Sequence, residues 1–229
     1  HVVKEIVIST GLASGHVSKY LSVLKDSGFV ERRIPLTVKK NSRAGRYHIT
    51  DPYLRFYFRF LENRQEQLAL GIQDQALAEI SKHLIDFIGA YTWEEICREW
   101  TIRAGAKGEL PYLPDQVGST WNAKAQVDVV GFNSMEKTLI LGECKWTRSQ
   151  TKPRVLKELI ERKTNNIILE EGSWQVFFTG FSRSGWTSGA LAYEHQIKEE
   201  LPSGSNWSAS GIRLVDLAQL DQDLQEWTE

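Results

Sequence analysis

The sequence predicts an α/β chain in two parts: a small basic module of helices and one hairpin, then a larger domain built on a mixed central sheet. Three observations predict it. Charge is divided along the chain: residues 1–60 hold 11 Lys and Arg against 4 Asp and Glu, and residues 61–229 hold 17 against 25. The overall net charge of −1 therefore conceals a piece of +7 joined to a piece of −8. Beyond residue 125, short apolar runs bounded by turn residues alternate with helical patterns. Composition is that of a globular chain, with 41% hydrophobic and 25% charged residues over 229 positions, enough to bury a substantial core.

The same figures exclude several classes. No apolar run approaches the ~18 residues of a membrane-spanning helix, and no basic leader precedes an apolar stretch. Two cysteines, Cys97 and Cys144, make neither a disulfide framework nor a four-cysteine zinc site, so a reducing, cytoplasmic setting is expected. The five histidines are scattered without metal-ligand spacing. The chain opens on His1 in what reads as the interior of a domain, so a piece of a longer protein is expected.

The elements follow in order. Val2 to Ser9 reads as a short helix ended by Gly11. Ser14 is suited to cap a second helix, in which Val17, Tyr20, Leu21 and Leu24 take the i, i+3, i+4, i+7 spacing of a buried face. Gly28 suits the residue just past that helix. Phe29–Ile34 and Tyr47–Thr50 read as strands joined by a polar, basic tip, Lys39 to Gly45. Helix, turn, helix and basic hairpin together form a winged helix-turn-helix pattern, expected over residues 1–50 and lacking a helix before Val2. Gly15, His16, Ser18, Lys19 and Ser22 would face a DNA groove, and Lys39, Lys40, Arg43 and Arg46 would lie near phosphates. Protein docking is the other reading of the same module. Asp51-Pro52 starts a helix crowded with Tyr53, Leu54, Phe56, Tyr57, Phe58 and Phe60, read as core, and a helical pattern continues over Leu68–Ile88. Residues 51–88 are thus expected as a helical linker region.

The domain expected over residues 89–229 begins with a helix from Thr92 through Trp100, followed by a Gly- and Pro-rich loop, Gly105 to Gly118. Strands are predicted at Ala125–Phe132, Thr138–Trp146, Trp174–Thr179 and Ile212–Leu217, with helices at Pro153–Arg162 and Ser188–Leu201. The five-residue connector Asn133–Lys137 makes the first two strands an antiparallel hairpin.

That hairpin carries the chemistry. A connector centred near residue 135 sets Asp128 opposite Glu143, and two carboxylates at directly opposed positions need a counter-charge. Glu143 and Lys145, two apart, share a strand face. The acids interrupt apolar strands, Val127-Val129-Val130 and Leu139-Ile140-Leu141-Gly142, so a surface ion pair accounts for them poorly. Oxygen ligands of this kind suit Mg²⁺ or Mn²⁺, and a neighbouring ammonium suits a developing phosphate charge. Glu94, on the preceding helix, is a further candidate ligand. Cys144 falls on the opposite strand face and reads as a core residue.

Asp128 with Gly142-Glu143-Cys144-Lys145-Trp146 resembles the core of the PD-(D/E)XK nuclease superfamily. The wider set resembles the C-terminal region of archaeal-type P-loop ATPases, a winged helix followed by a domain of unknown function. That set is Asp51-Pro52-Tyr53-Leu54-Arg55-Phe56, Trp93-Glu94, Val127-Asp128, the Gly-Glu-Cys-Lys-Trp string and Ser182-Arg183-Ser184-Gly185-Trp186. The resemblance implies a restriction-endonuclease-like α/β domain. In it Asp128 and Glu143 would be metal ligands, Lys145 the catalytic lysine and Glu94 the helix acid. At Gln126 the chain departs from the family pattern, which has an acid there. The resemblance also implies an ATPase module outside this sequence, which itself contains no G-x-x-x-x-G-K-[ST] string and so no P-loop ATP site.

Two functions are therefore expected. In the first, the chain is the C-terminal part of a DNA-associated ATPase carrying a Mg²⁺-dependent nuclease domain, with double-stranded DNA as partner and affinity concentrated in residues 1–60. In the second, the nuclease-like domain is catalytically inactive and serves protein interaction or regulation of the ATPase module.

Overall fold

The computed structural model describes residues 1–38, 42, 44–167 and 172–228. The chain divides into two compact units: residues 1–34 with 38–92, and residues 35–37 with 93–229.

The first unit begins with α1 (Val3–Thr10) and α2 (Ser14–Asp26), separated where Gly11 takes a left-handed φ of 69° and stops α1. Strands β1 (Val30–Arg33) and β2 (Arg46–Ile49) pair antiparallel, with Val30 opposite Ile49. Asp51 caps α3 (Pro52–Phe56) by accepting the N–H groups of Tyr53 and Leu54, with Pro52 in the first turn where its missing N–H costs nothing. The helix widens to a π turn over Tyr57–Leu61 and tightens over Glu62–Arg64 before α4 (Gln65–Ala69) and α5 (Gln73–Tyr91).

Three expectations are corrected in this unit. Only Val17 and Leu21 of the α2 face are buried, while Tyr20 and Leu24 stand 55% and 39% exposed, because α1 and β1 cover just one edge of that face. The aromatic helix is half core: Phe56 and Phe60 pack against Phe87, but Tyr53 and Phe58 face solvent. The helical pattern from Leu68 is broken at Gly71, whose φ of 75° ends α4 and separates it from α5.

The second unit is a three-layer α/β arrangement. Its sheet has five strands in the order β3-β4-β5-β6-β7. They are β3 (Gln116–Trp121), β4 (Gln126–Asn133), β5 (Thr138–Lys145), β6 (Trp174–Ser182) and β7 (Trp207–Asp216). β3–β4 and β4–β5 pair antiparallel, and β5–β6 and β6–β7 pair parallel. On one face, Leu139, Leu141, Val176, Phe178 and Ile212 pack against Leu156, Leu159, Ile160, Ile167 and Ala190. Those helical residues come from α7 (Arg154–Lys157), the π turn Glu158–Lys163 that continues it, α8 (Thr164–Ile167) and α9 (Ser188–Glu199). On the other face, Val129, Ile140, Cys144, Phe181 and Val215 pack against α6 (Trp93–Ala106) and α10 (Leu217–Glu226). At the open edge, Leu36 donates its N–H to the Ser119 carbonyl, and the Thr37 and Thr120 hydroxyls meet at 2.6 Å.

The residues expected as a loop, Gly105 to Gly118, include the start of edge strand β3. Helix α10 and the first five residues of β7 also go beyond the sequence reading. The predicted strands at β4, β5 and β6 and the helices at α6, α7 and α9 are present, with boundaries shifted by a few residues.

Candidate active site

The β4–β5 ladder follows the register the connector length predicts, from Asn133 opposite Thr138 to Val129 opposite Gly142. The ladder ends there, and Asp128 and Glu143 are the next residues on the two strands. There β4 carries a bulge. Against β3, Gly118 pairs with Val130 but Thr120 pairs with Val127, so Asp128 and Val129 together oppose the single residue Ser119. Bulges of this kind bend a strand and re-aim a side chain. The Asp128 carboxylate turns toward β5, and its Oδ2 accepts the Cys144 backbone N–H at 3.1 Å. Its Oδ1 meets the Gln126 amide at 3.4 Å, so the residue that departs from the family pattern touches the first acid.

Glu143 sits near the end of β5 and is 2% exposed. Gly142 before it lets β5 lie close to its neighbours: a Cβ there would stand 2.4 Å from Thr179 Oγ1 and 3.0 Å from Val129 Cβ. Two ammonium groups hold the carboxylate, Lys145 Nζ on Oε2 at 3.1 Å and Lys163 Nζ on Oε1 at 2.5 Å. Burial and the nearby Asp128 raise the Glu143 carboxyl above its usual value, and the two lysines work against that rise. Burial disfavours the Lys145 ammonium, but Glu143 and Asp128 outweigh it and hold its pKa above the ordinary lysine value. The Cys144 thiol, on the α6 face beside Cys97, is pushed well above its usual range by burial, which suits a core residue and not a nucleophile.

Helix α6 closes one side. Arg98 Nη1 donates to the Asp128 carbonyl at 2.9 Å and meets Glu94 Oε2 at 3.4 Å, tying the helix acid to the bulge. Among the described residues, no group of three or more His, Cys, Asp or Glu side chains is gathered to hold a metal ion; Glu94 is turned to Arg98, and the carboxylates that act on each other are Asp128 and Glu143. The pair fits a hard cation of the Mg²⁺ type, which commonly takes one or two protein carboxylates and completes its shell with water and substrate oxygens.

The end of β5 is clamped by the Ser182–Trp186 loop. Arg183 donates its N–H to the Lys145 carbonyl, Ser184 Oγ to the Thr147 carbonyl, and Ser182 Oγ shares a 2.7 Å hydrogen bond with Thr151 Oγ1. The Arg183 guanidinium lies 4.8 Å over the Trp146 ring, and Trp146 packs against Trp93 of α6. From Lys145 to Lys163 the chain carries seven Lys and Arg against two Glu, a basic segment inside an otherwise acidic unit.

The sequence reading missed Lys163, Arg98 and this basic segment. A signal for Lys163 was available: Leu156, Leu159, Ile160 and Lys163 follow i, i+3, i+4, i+7, so a lysine occupies the apolar face of its helix. In the first unit, Ser18, Lys19 and Ser22 are exposed on α2, as are Gly15 and His16, and Arg46 lies on β2. Lys39, Lys40 and Arg43 lie outside the described residues.

No solved structure matches the chain. An uncharacterized protein of Methanocaldococcus jannaschii is 27% identical over 174 residues, which covers 75% of this chain and 38% of that protein. The chain thus spans well under half the length of this curated relative. Residues 57–167, which include Glu94, Asp128, Glu143, Lys145 and Lys163, match the model of a family described as archaea bacterial proteins of unknown function.

Proposed function

We propose that the second unit is a restriction-endonuclease-like domain that hydrolyses nucleic-acid phosphodiesters with Mg²⁺ or Mn²⁺. The carrying observation is that Asp128, at a bulge of β4, accepts the backbone N–H of Cys144 next to Glu143, whose carboxyl it raises, while the Lys145 ammonium sits on Glu143. Asp128 and Glu143 would hold the cation, which supplies a polarised phosphoryl oxygen and an acidified water. Lys145 holds a positive charge where negative charge develops on the phosphate. Arg98 fixes the bulge and hence the direction of Asp128. The basic segment after β5, with Trp146 and Arg183 at its start, supplies a track for a polyanionic strand.

In the same reading the first unit is a winged helix that brings double-stranded DNA to the protein through α2, and the region works beside a P-loop ATPase module. A non-catalytic role is favoured by one observation: Glu143 already has both oxygens on ammonium groups, so the site is electrically satisfied without a metal.

The test is a cleavage assay on mixed single- and double-stranded DNA and RNA with Mg²⁺ or Mn²⁺. Divalent-dependent cleavage that is lost in Lys145→Ala and Asp128→Ala supports the hydrolase. Cleavage that persists in both variants shows that it does not arise at this site, and no cleavage from the parent despite metal binding at Asp128 moves the assignment to the non-catalytic role.

A further inference from the structure

Lys145 supplies Glu143 with one ammonium, at 3.1 Å. Lys163 supplies a second, closer one at 2.5 Å, from a different element. The positions of that element make the arrangement costly to keep. Lys163 lies on the apolar face that otherwise buries Leu156, Leu159 and Ile160, and its side chain is 14% exposed. An apolar residue there would pack at least as well, because a buried ion pair generally loses about as much in desolvation as it gains. The helix is also wound as a π turn over Glu158–Lys163, with Thr164 Oγ1 bonded to the Leu159 carbonyl. The extra residue per turn rotates the rest of the helix by about 100°, and such turns inside α-helices gather at functional sites.

We propose that Lys163 is the resident counter-cation of this site. Its ammonium occupies Glu143 Oε1, where a divalent ion would bind, and the ion must displace it, so Lys163 sets the site's metal affinity. The inference rests on the hydrolase reading only for the kind of ion that competes. An ammonium and a divalent cation compete for the same carboxylate lone pairs, and the four-carbon lysine stem lets the ammonium withdraw without moving the helix. Withdrawal frees a positive charge beside the metal, available to a phosphate oxygen. Lys163 is therefore a positioning residue whose first effect is on metal affinity.

The experiment is a Mn²⁺ titration of the whole chain by calorimetry and by the electron paramagnetic resonance signal of free Mn²⁺. It compares the parent with Lys163→Met, Lys163→Gln, Lys163→Arg and Asp128→Ala. Removing the competitor should tighten Mn²⁺ binding about tenfold in Lys163→Met, the ratio expected from one close charge pair of modest strength. Lys163→Gln should shift in the same direction and serves if the Met variant fails to fold, and Lys163→Arg should stay near the parent. Binding in Lys163→Met or Lys163→Gln that equals or falls below the parent, while Asp128→Ala abolishes it, overturns the proposal and leaves the metal site standing. Mn²⁺ binding that appears only when Lys163 is replaced supports the proposal. Equal, weak binding in all variants including Asp128→Ala removes both the proposal and the hydrolase reading.

Discussion

Asp128 takes the place of a strand carbonyl. Its Oδ2 accepts the Cys144 N–H at 3.1 Å, two residues past Gly142 of the last β4–β5 ladder pair, Val129 with Gly142. A residue read as a metal ligand thus also closes the end of a sheet, and the two roles are separable by substitution.

Asp128→Ala leaves a buried backbone donor unmet, which costs about 1–3 kcal/mol. Asp128→Asn keeps an oxygen acceptor for Cys144 and should cost less, yet it removes the charge that attracts a cation. Urea denaturation should rank parent, Asn variant and Ala variant in falling stability, with Mn²⁺ binding weakened in both variants. Equal loss of stability in the two variants would show that the Cys144 hydrogen bond contributes nothing.

Glu143 gives the chain a specific pH dependence when metal is removed by a chelator. Its carboxyl is raised above 4.5 by burial and then by Asp128. The unfolded chain releases this proton near 4.5, whereas the folded chain keeps it to higher pH. The folded state therefore binds more protons in that window, and stability falls as pH rises from 4.5 through the raised value. Lys145 acts elsewhere: its raised pKa contributes stability that holds below 10.5 and is lost only as pH climbs through the raised value. The urea midpoint of the parent should thus decline with pH just above 4.5 more steeply than that of Glu143→Gln. Parallel pH profiles would refute the assignment.

The register of the β4–β5 hairpin, from Asn133 with Thr138 to Val129 with Gly142, was legible because apolar runs of fixed length flank a five-residue connector. The bulge was not, since Val127, Asp128, Val129 and Val130 are mostly apolar and hide the slip from one face to the other. Strand β3 was missed because Gln116–Trp121 is a partly exposed edge strand starting inside a Gly- and Pro-rich stretch. Helix α10 was missed because its polar residues mask a short apolar face, of which Leu220 is buried. In that helix Asp223 accepts the Trp100 indole N–H at 2.7 Å across 123 residues, a pairing no local pattern encodes. The Lys163–Glu143 pairing is likewise non-local, across 20 residues, although the place of Lys163 on an apolar helix face was a local signal.

Gly142→Ala tests how tightly β5 is set. The new methyl would meet Thr179 Oγ1 at 2.4 Å and Val129 Cβ at 3.0 Å, both on neighbouring strands that cannot easily give. Overpacking of this kind costs about 1–3 kcal/mol, and because Glu143 is adjacent, metal affinity should fall with stability. The denaturation midpoint and a Mn²⁺ titration check this, and an unchanged midpoint would mean that the sheet adjusts freely here.

The basic segment from Lys145 to Lys163 changes where nucleic-acid affinity is expected. The charge split of the sequence assigns it to residues 1–60, but a net of +5 over these nineteen residues adjoins Glu143 within the acidic unit. Arg148 and Lys152 are exposed there, and neither takes part in an ion pair among the described residues. Affinity for phosphates depends on such local positive charge, and each neutralised phosphate adds about one unit to the log–log salt slope. Replacing Arg148 and Lys152 with Ala should weaken binding to DNA of any sequence and reduce the slope by up to ~2. A second variant, Lys19→Ala with Arg46→Ala, reports on the first unit in the same way. Binding measured from 50 to 200 mM salt, without divalent ions so that no strand is cut, separates the two. If the Arg148 and Lys152 variant matches the parent in affinity and slope, the segment is a solvated rim and the first unit alone holds the strand. If both variants lose slope, the strand reaches the second unit beside Lys145, where hydrolysis requires it to lie.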